Sequence, residues 1–230
     1  VCMLQDEDEF LDELPDDLRE QCESLLADRA EQVDLFIAAS DYYADIAAER
    51  FRLPRDRIRV VPNGLDVAEY PRANPPTPHV VGFLSRMHED KGLDLLVEAL
   101  HLVRQRPGLD QARLTAMGGT TAGSRPYLEK IRADLDAWDL ADAVDIGPNL
   151  RRAERQDWLR SLSVLSVPTR RPEASATFVL EANACGVPAV EPAHGAVEEI
   201  VESTGGGVLV PPGDVRALAD ALADLLSNPD

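Results

Sequence analysis

Residues 168–195 read P-T-R-R-P-E-A-S-A-T-F-V-L-E-A-N-A-C-G-V-P-A-V-E-P-A-H-G, and this stretch is the most informative part of the chain. The apolar run at 163–167, just before it, predicts a buried strand. Residues 177–185 then predict a helix, which Gly186 and Pro188 end, and residues 187–190 predict a second buried strand. A strand, a helix and a strand in this order are typical of a parallel sheet, so the loop before the helix and the start of the helix share one rim.

Two carboxylates lie between these predicted strands, Glu173 in the loop and Glu181 on the helix, with seven residues between them. Their rim is where a parallel sheet binds its ligand, because helix N-termini there offer free N–H groups to an anion such as phosphate. Most pairs of glutamates at this spacing are instead a solvated loop acid and a helix-face acid. Further motifs are therefore needed to decide whether these two glutamates belong to a ligand-binding site or are ordinary surface residues.

Two cations follow another predicted strand. Residues 81–92 read V-G-F-L-S-R-M-H-E-D-K-G, an apolar strand and then a loop with Arg86 and Lys91, before a helix that begins near Leu93. The chain has only one other lysine, Lys130, and arginine supplies nearly all of its positive charge. A planar guanidinium fork together with a point charge suits a diphosphate, so the loop predicts an anion site.

The chain from residue 79 onward alternates regularly between strands and helices. The predicted strands lie at 79–84, 112–117, 144–146, 163–167, 187–190 and 208–210, and the last helix lies at 215–226. This alternation predicts an α/β domain at 79–230 with a doubly wound, parallel, Rossmann-type sheet that helices cover on both faces.

A smaller α/β segment is predicted at 1–65. Its strands are expected at 1–4, 33–38 and 58–61, with one helix after Pro15 and a second that Ser40 caps. The first helix carries its apolar residues on one face, namely Leu18, Cys22, Leu25 and Leu26. Between the two parts, residues 66–78 contain four prolines and predict an extended linker, namely Pro71, Pro75, Pro76 and Pro78.

The net charge limits the classes of partner. The 230 residues carry 23 lysines and arginines against 42 aspartates and glutamates, a formal net charge of −19. A nucleic-acid backbone or an anionic membrane surface would be repelled, so neither is expected as a general partner.

Cysteine content and hydropathy indicate the compartment. Cys2, Cys22 and Cys185 are odd in number and follow no pattern, so they predict neither a disulfide framework nor a zinc site. No apolar run approaches the roughly 18 residues that cross a bilayer, so no transmembrane segment is expected. We therefore expect a cytoplasmic protein.

The motifs, taken in order, resemble those of the retaining glycosyltransferases of the GT-B fold, family 4, in their C-terminal nucleotide-sugar-binding domain. The family pattern reads G-x-x-x-R-x-x-x-x-K-G, then a Gly-Gly loop, E-x7-E-A-x-A-x-G-x-P and G-x-x-x-E-I-V. The resemblance covers roughly residues 33–230. The matching residues are Gly82, Arg86, Lys91, Gly92, Gly118, Gly119, Glu173, Glu181, Ala182, Ala184, Gly186, Pro188, Gly195, Glu199 and Gly207.

The resemblance implies hexosyl transfer with retention from a UDP-, GDP- or ADP-sugar to an acceptor, with neither a metal nor a cofactor. Arg86 and Lys91 would hold the diphosphate and stabilise charge as the nucleotide leaves, and Glu173 would orient the sugar hydroxyls. Glu181 would accept both ribose hydroxyls. The remaining donor-binding residues implied are Ser175, Ala176 and Thr177 at the helix start, Gly118 in the Gly-Gly loop, Gly147, Asn149 and Leu150 near the base, and His194 and Gly195 closing the rim.

The chain also departs from the family pattern. Ala174, Ser175 and Ala176 stand where members often have glycines, which limits close approach of the backbone to a ligand. Gln5 stands about where many members have a histidine that contacts the donor sugar. Residues 1–65 would supply only part of an acceptor domain, so the main alternative is a non-catalytic nucleotide-sugar binder or regulatory fragment.

Three other hypotheses are weaker. Asp6, Glu7 and Asp8 form the D-x-D of metal-dependent glycosyltransferases, but they lie within an acidic run. The loop from Gly118 to Gly123 lacks the G-x-G-x-x-G pattern of a nicotinamide enzyme. The four histidines have no metal-ligand spacing.

Overall fold

The structure is a computed structural model that describes residues 1–70, 79–121 and 123–228. The predicted linker at 66–78, with its four prolines, lies largely outside these ranges, as does Ala122 of the glycine loop. The described residues form two parallel sheets, of three and six strands. We refer to residues 1–70 as the N-terminal unit and to residues 79–228 as the C-terminal unit.

The N-terminal unit is built around its three-stranded sheet, in the order β1-β2-β3. Its elements are β1 (Cys2–Met3), α1 (Glu7–Asp12), α2 (Asp16–Ala30), β2 (Phe36–Ala38), α3 (Asp41–Arg50) and β3 (Ile58–Val60), with 3-10 turns at Arg55–Arg57 and Val67–Glu69. Ser40 caps α3 as predicted, because its Oγ accepts a hydrogen bond from the N–H of Tyr43 at 3.1 Å. The predicted order of strands and helices is confirmed, except that α1 was not predicted.

The predicted apolar face of α2 is largely uncovered. Leu18, Leu25 and Leu26 are exposed, and Ala30 is the buried residue of this helix. Periodicity predicts which face of a helix is apolar, but it does not say whether another element covers that face. A sheet of three strands, each two or three residues long, is too small to cover a helix of 15 residues.

The C-terminal unit contains the predicted doubly wound sheet. Its strands, all parallel, lie in the order β6-β5-β4-β7-β8-β9. They are β4 (Val80–Leu84), β5 (Arg113–Met117), β6 (Val144–Gly147), β7 (Val164–Leu165), β8 (Ala189–Pro192) and β9 (Gly207–Val210). The helices are α4 (Leu93–Arg104), α5 (Ser124–Ala137), α6 (Arg152–Leu159), α7 (Thr177–Ala184), α8 (Ala196–Thr204) and α9 (Val215–Ser227), with 3-10 turns at Glu89–Lys91 and Ala141–Ala143.

Two strand predictions need correction at the centre of this sheet. The strand predicted at 163–167 is only β7, and the strand predicted at 187–190 begins at Ala189 and ends at Pro192. Side chains replace the backbone ladder where β7 ends. Ser166 Oγ donates to the carbonyl of Val190 at 2.6 Å, and the N–H of Val167 donates to the carboxyl of Glu191 at 3.0 Å.

Glu191 is a carboxyl group with no exposed surface, in the middle of β8. Burial raises its pKa well above the usual range, and the nearby Glu173 acts in the same direction. A polar side chain in a buried strand keeps its place when it is hydrogen-bonded, as this one is.

Apolar side chains fill both faces of the large sheet. Phe83 of β4, Leu96 and Leu100 of α4 and Leu222 of α9 are fully buried. Burying a side chain of this size contributes about 1.5–3 kcal/mol, so this core fixes the strands and the loops at their carboxyl ends. Within the described residues, no helix is both long enough and apolar enough to cross a membrane.

Candidate functional site

A cavity of about 360 Å³ opens at the carboxyl ends of β4 and β5, in front of α7. Eight of the predicted site residues line it, namely Arg86, Gly118, Asn149, Glu173, Ser175, Ala176, Thr177 and Glu181. The structure thus brings together residues that are up to 95 positions apart in the chain. Gly147, Leu150, His194 and Gly195 are not among the lining residues, and Lys91 lines a neighbouring cavity.

Glu181 lines this cavity and is buried, and both of its carboxylate oxygens have hydrogen-bond partners. Arg155 Nη1 lies 3.2 Å from each of its carboxylate oxygens, and the hydroxyl of Tyr70 donates to Oε1 at 3.0 Å. Burial and the carboxylate of Glu181 raise the pKa of Tyr70. Neither Arg155 nor Tyr70 was predicted, since neither belongs to a motif and Tyr70 reaches Glu181 across 111 residues.

Lys91 is a buried ammonium between two carboxylates. Its Nζ lies 2.9 Å from Glu173 Oε1 and 3.6 Å from Glu9 Oε1. Glu9 also forms an ion pair with Arg86, so one carboxylate of the N-terminal unit contacts both predicted diphosphate-binding cations. Glu9 was not predicted, because it lies in an acidic run without periodicity.

The turn that carries Lys91 depends on Gly92. Gly92 has a φ of 75°, and a Cβ at this position would lie 2.0 Å from the carbonyl oxygen of Pro168. Only glycine combines this left-handed conformation with so close an approach to backbone. This contact brings the 81–92 loop against the start of the 168–195 stretch, and it places Lys91 beside Glu173.

His194 and Gly195 support the loop that carries Glu173. His194 Nε2 lies 3.1 Å from the carbonyl oxygen of Thr169, and the N–H of Ala196 donates to the carbonyl of Glu173 at 2.8 Å. A Cβ on Gly195 would lie 2.8 Å from that same carbonyl oxygen. In the structure these two residues therefore contact backbone carbonyl groups of the Glu173 loop, and they do not line the large cavity.

The start of α7 is held partly by the N-terminal unit. The N–H of Ala174 donates to Asp6 Oδ1 at 3.2 Å, and Asn63 Nδ2 donates to Thr177 Oγ1 at 3.1 Å. Ala176 precedes the helix with a φ of 40°, in the left-handed region that favours glycine. Glycines are therefore missing from this loop at a point where the backbone adopts a conformation suited to them.

Gly147 and Asn149 occupy different places after β6. A Cβ on Gly147 would lie 2.4 Å from Met117 Sδ, so this glycine is needed for packing between β5 and β6. Asn149 faces the large cavity.

A second cavity, of about 280 Å³, lies on the other side of Glu173. Carboxylates dominate its lining, with Asp6, Asp8, Glu9, Asp12, Asp90 and Glu173 facing Lys91 and Arg171. Burial, and then the negative charge of Glu173, raise the pKa of Asp6 to about 6. Within the described ranges, no group of three or more potential ligands is placed to hold a metal ion, the D-x-D residues included.

The raised pKa of Asp6 predicts a pH-dependent stability. The folded protein binds this proton more tightly than the unfolded chain, so stability falls as the pH rises from 3.8 to about 6. We expect Asp6→Asn to raise the melting temperature near pH 7 by about 3 °C and to leave it nearly unchanged near pH 4. Thermal unfolding followed by circular dichroism at both pH values measures this. Asp34→Asn removes the same charge at an exposed position and serves as control; an equal effect of both variants would contradict the prediction.

Two family profiles match the chain. Residues 78–228 match the family described as glycosyl transferases group 1, and residues 10–69 match the family described as Glycosyltransferase Family 4. The first match covers more than half of the 230 residues.

Curated relatives match over about half of their own length. The chain is 30% identical over 216 residues to a D-inositol 3-phosphate glycosyltransferase from Xylanimonas cellulosilytica, covering 85% of this chain and 49% of the relative. It is 30% identical over 224 residues to the D-inositol 3-phosphate glycosyltransferase of Kineococcus radiotolerans, covering 88% and 48%. The chain thus spans about half the length of the curated relatives that it matches.

Solved structures share the fold. Anabaena HepE, in complex with UDP and glucose, matches with a TM-score of 0.79 and 22% identity, covering 90% of this chain and 58% of that one. Sucrose-phosphate synthase from Thermosynechococcus elongatus matches with a TM-score of 0.77 and 23% identity, covering 91% and 53%. Each match covers about nine tenths of this chain, so the chain shares the fold of these two proteins.

Proposed function

Because the chain belongs to the family of glycosyl transferases group 1, we propose that it binds the donor in the transfer of a hexosyl group from a nucleotide-diphosphate sugar to an acceptor. The proposed transfer retains the anomeric configuration, needs no metal and takes place in the cytoplasm. Residues 79–230 form the donor-binding part of this proposal, residues 66–78 the linker, and residues 1–65 part of the acceptor side. UDP is the first nucleotide to test, since the similar Anabaena protein was solved with UDP and glucose.

One observation carries the proposal. The carboxylates of Glu181 and Glu173 and the guanidinium of Arg86 line a single cavity, and Lys91 Nζ lies 2.9 Å from Glu173 Oε1. In a nucleotide sugar a diphosphate joins the ribose, which carries the base, to the hexose, and both sugars carry hydroxyl groups. Carboxylates accept hydrogen bonds from hydroxyls, and cations neutralise phosphate, so the groups around the cavity suit the groups in the ligand.

The chemical step requires stabilisation of the leaving diphosphate. As the bond between the sugar and the phosphate breaks, negative charge grows on the phosphate oxygens. Arg86 and Lys91 are proposed to stabilise this charge, which raises the rate to the extent that they bind the transition state more tightly than the ground state. Glu173 is proposed to orient the hexose hydroxyls, and Lys91, which holds Glu173 in place, links the two roles.

A comparison of two variants tests the proposal. We expect Glu181→Gln to weaken the binding of both UDP and UDP-glucose by about 1.5 kcal/mol, because the ribose loses a charged acceptor. Glu173→Gln removes an anion beside Lys91 but also the acceptor that holds Lys91 in place, so we expect UDP binding to change little and UDP-glucose binding to weaken by about 1.5 kcal/mol. Titration calorimetry in the presence of a chelator measures all four affinities.

Glu202→Gln, at an exposed position on α8, is the matched control. Equal losses for UDP and UDP-glucose in Glu173→Gln would show that the two roles are wrongly assigned. If the wild-type chain bound no UDP-, GDP- or ADP-containing ligand, the proposed function would be wrong.

A further inference from the structure

Glu9, in the N-terminal unit, contacts both of the proposed diphosphate-binding cations. It forms an ion pair with Arg86, and its Oε1 lies 3.6 Å from Lys91 Nζ. It belongs to α1, far in sequence from the motifs that define the donor cavity. Its carboxylate lines the acidic second cavity, whereas Arg86 lines the donor cavity.

We propose that Glu9 is an internal anion that competes with the donor diphosphate for Arg86 and Lys91, so that it lowers nucleotide affinity and assists nucleotide release. The proposal rests on the proposed function, because it takes the diphosphate site as given. Under this proposal, a residue outside the family motifs sets the affinity for the donor.

The two cations differ in how freely they can change partners. The side chain of Lys91 is only 10% exposed, and Glu173 holds it at 2.9 Å. The side chain of Arg86 is 55% exposed and that of Glu9 is 28% exposed, so both have room to move. A ligand phosphate that binds here therefore finds the Lys91 ammonium already in place. To bind Arg86 as well, it must displace Glu9 from the guanidinium.

Glu9 and a bound diphosphate compete because both are negatively charged and both bind Arg86 and Lys91. A diphosphate that reaches Arg86 and Lys91 brings its negative charges within a few ångströms of Glu9, and like charges at that distance repel each other unless one of them moves away. Part of the binding free energy is then spent on displacing Glu9. After transfer, the same carboxylate is available to take Arg86 back, which favours loss of the nucleotide product.

Glu9→Gln tests the competition directly, because it keeps the size of the side chain and removes its charge. We expect the variant to bind UDP about tenfold more tightly than the wild type, equal to about 1.4 kcal/mol, and to release it more slowly. Calorimetry gives the affinity, and stopped-flow displacement of UDP gives the release rate. Glu13→Gln removes the same charge from an exposed residue just beyond α1, and we expect it to leave both quantities unchanged.

A double-mutant cycle separates local competition from general repulsion. In the Arg86→Ala background, Glu9 no longer holds the guanidinium, so the gain from Glu9→Gln is expected to shrink to threefold or less, about 0.7 kcal/mol. A gain that was equally large in that background, or that Glu13→Gln also produced, would reject the assignment to Glu9.

The remaining outcomes distinguish this inference from the proposed function. Equal or weaker UDP affinity in Glu9→Gln, with clear UDP binding by the wild type, would overturn the competition and leave the donor site standing. Absence of nucleotide binding in the wild type and in Glu9→Gln alike would overturn both.

Discussion

Replacement of Lys91 by Met is expected to weaken UDP binding by about 2.5 kcal/mol, or nearly two orders of magnitude. The ligand loses a charged hydrogen bond from a buried ammonium. In addition, Glu173 loses its cation and Glu9 keeps only Arg86, so the diphosphate would enter a site with less positive charge to offset these two carboxylates. This second effect is why we expect a larger loss than for Arg86, whose side chain is more exposed.

The chain provides its own control for this experiment. Its only other lysine, Lys130, is largely exposed, and its Nζ lies 4.0 Å from Asp94. Lys130→Met makes the same change of charge and shape away from the cavity, and we expect UDP affinity to be unchanged. Titration calorimetry of UDP against the wild type, Lys91→Met and Lys130→Met measures these affinities. A Lys91→Met variant that bound UDP as tightly as the wild type would exclude Lys91 from the diphosphate site.

Replacement of Gly118 by Ala is expected to lower the free energy of unfolding by about 3 kcal/mol. A Cβ at Gly118 would lie 1.6 Å from the carbonyl oxygen of Ser85, which is backbone and cannot rotate away. The two loops are joined here by hydrogen bonds from the N–H of Ser85 to the carbonyl of Met117 at 3.2 Å and from the N–H of Met87 to the carbonyl of Gly119 at 2.9 Å. Separating them would also displace Arg86, so UDP affinity should fall as well.

Gly119→Ala is the matched control, since a Cβ there would meet no atom within 4 Å. Both substitutions restrict the unfolded chain in the same way, so the difference between them reports the contact in the folded state. Urea unfolding curves of both variants measure that difference. If the two variants were equally stable, the close approach of Gly118 to Ser85 would not exist in solution.

The fold could be predicted from the sequence because its signals are local. Apolar runs that alternate with helix caps and glycines predict each strand of the large sheet to within a few residues, and the doubly wound arrangement follows from that alternation. The prediction for β8 was displaced because Glu191 interrupts the apolar run. A glutamate inside a buried strand is recognisable only when its partner, the N–H of Val167, is known.

The candidate site could be predicted only in part, for a related reason. Arg86, Glu173 and Glu181 belong to motifs with a fixed spacing, and the structure places them around one cavity. Arg155 and Glu9 touch these residues from elements with no motif of their own. Such contacts depend on how helices pack on one another in three dimensions, which spacing in the chain does not record. The roles of all these residues stay predictions until ligand binding is measured.

The strand order has a consequence for how this fold can evolve. β4 lies between β5 and β7, so the chain leaves β4 toward one side of the sheet and returns to β7 on the other. The loops after these two strands contact each other at Gly92 and Pro168, but the chain then continues in opposite directions, toward β5 and toward β8, and this leaves a crevice beside the contact. Loop residues that line the cavity with their side chains, such as Asn149 and Ser175, can therefore change and adapt the crevice to new ligands. Gly92 and Gly118 cannot change in this way, because any side chain there would collide with the backbone of a neighbouring loop. Ligand specificity can therefore change through the cavity side chains while these glycines keep the loops in place.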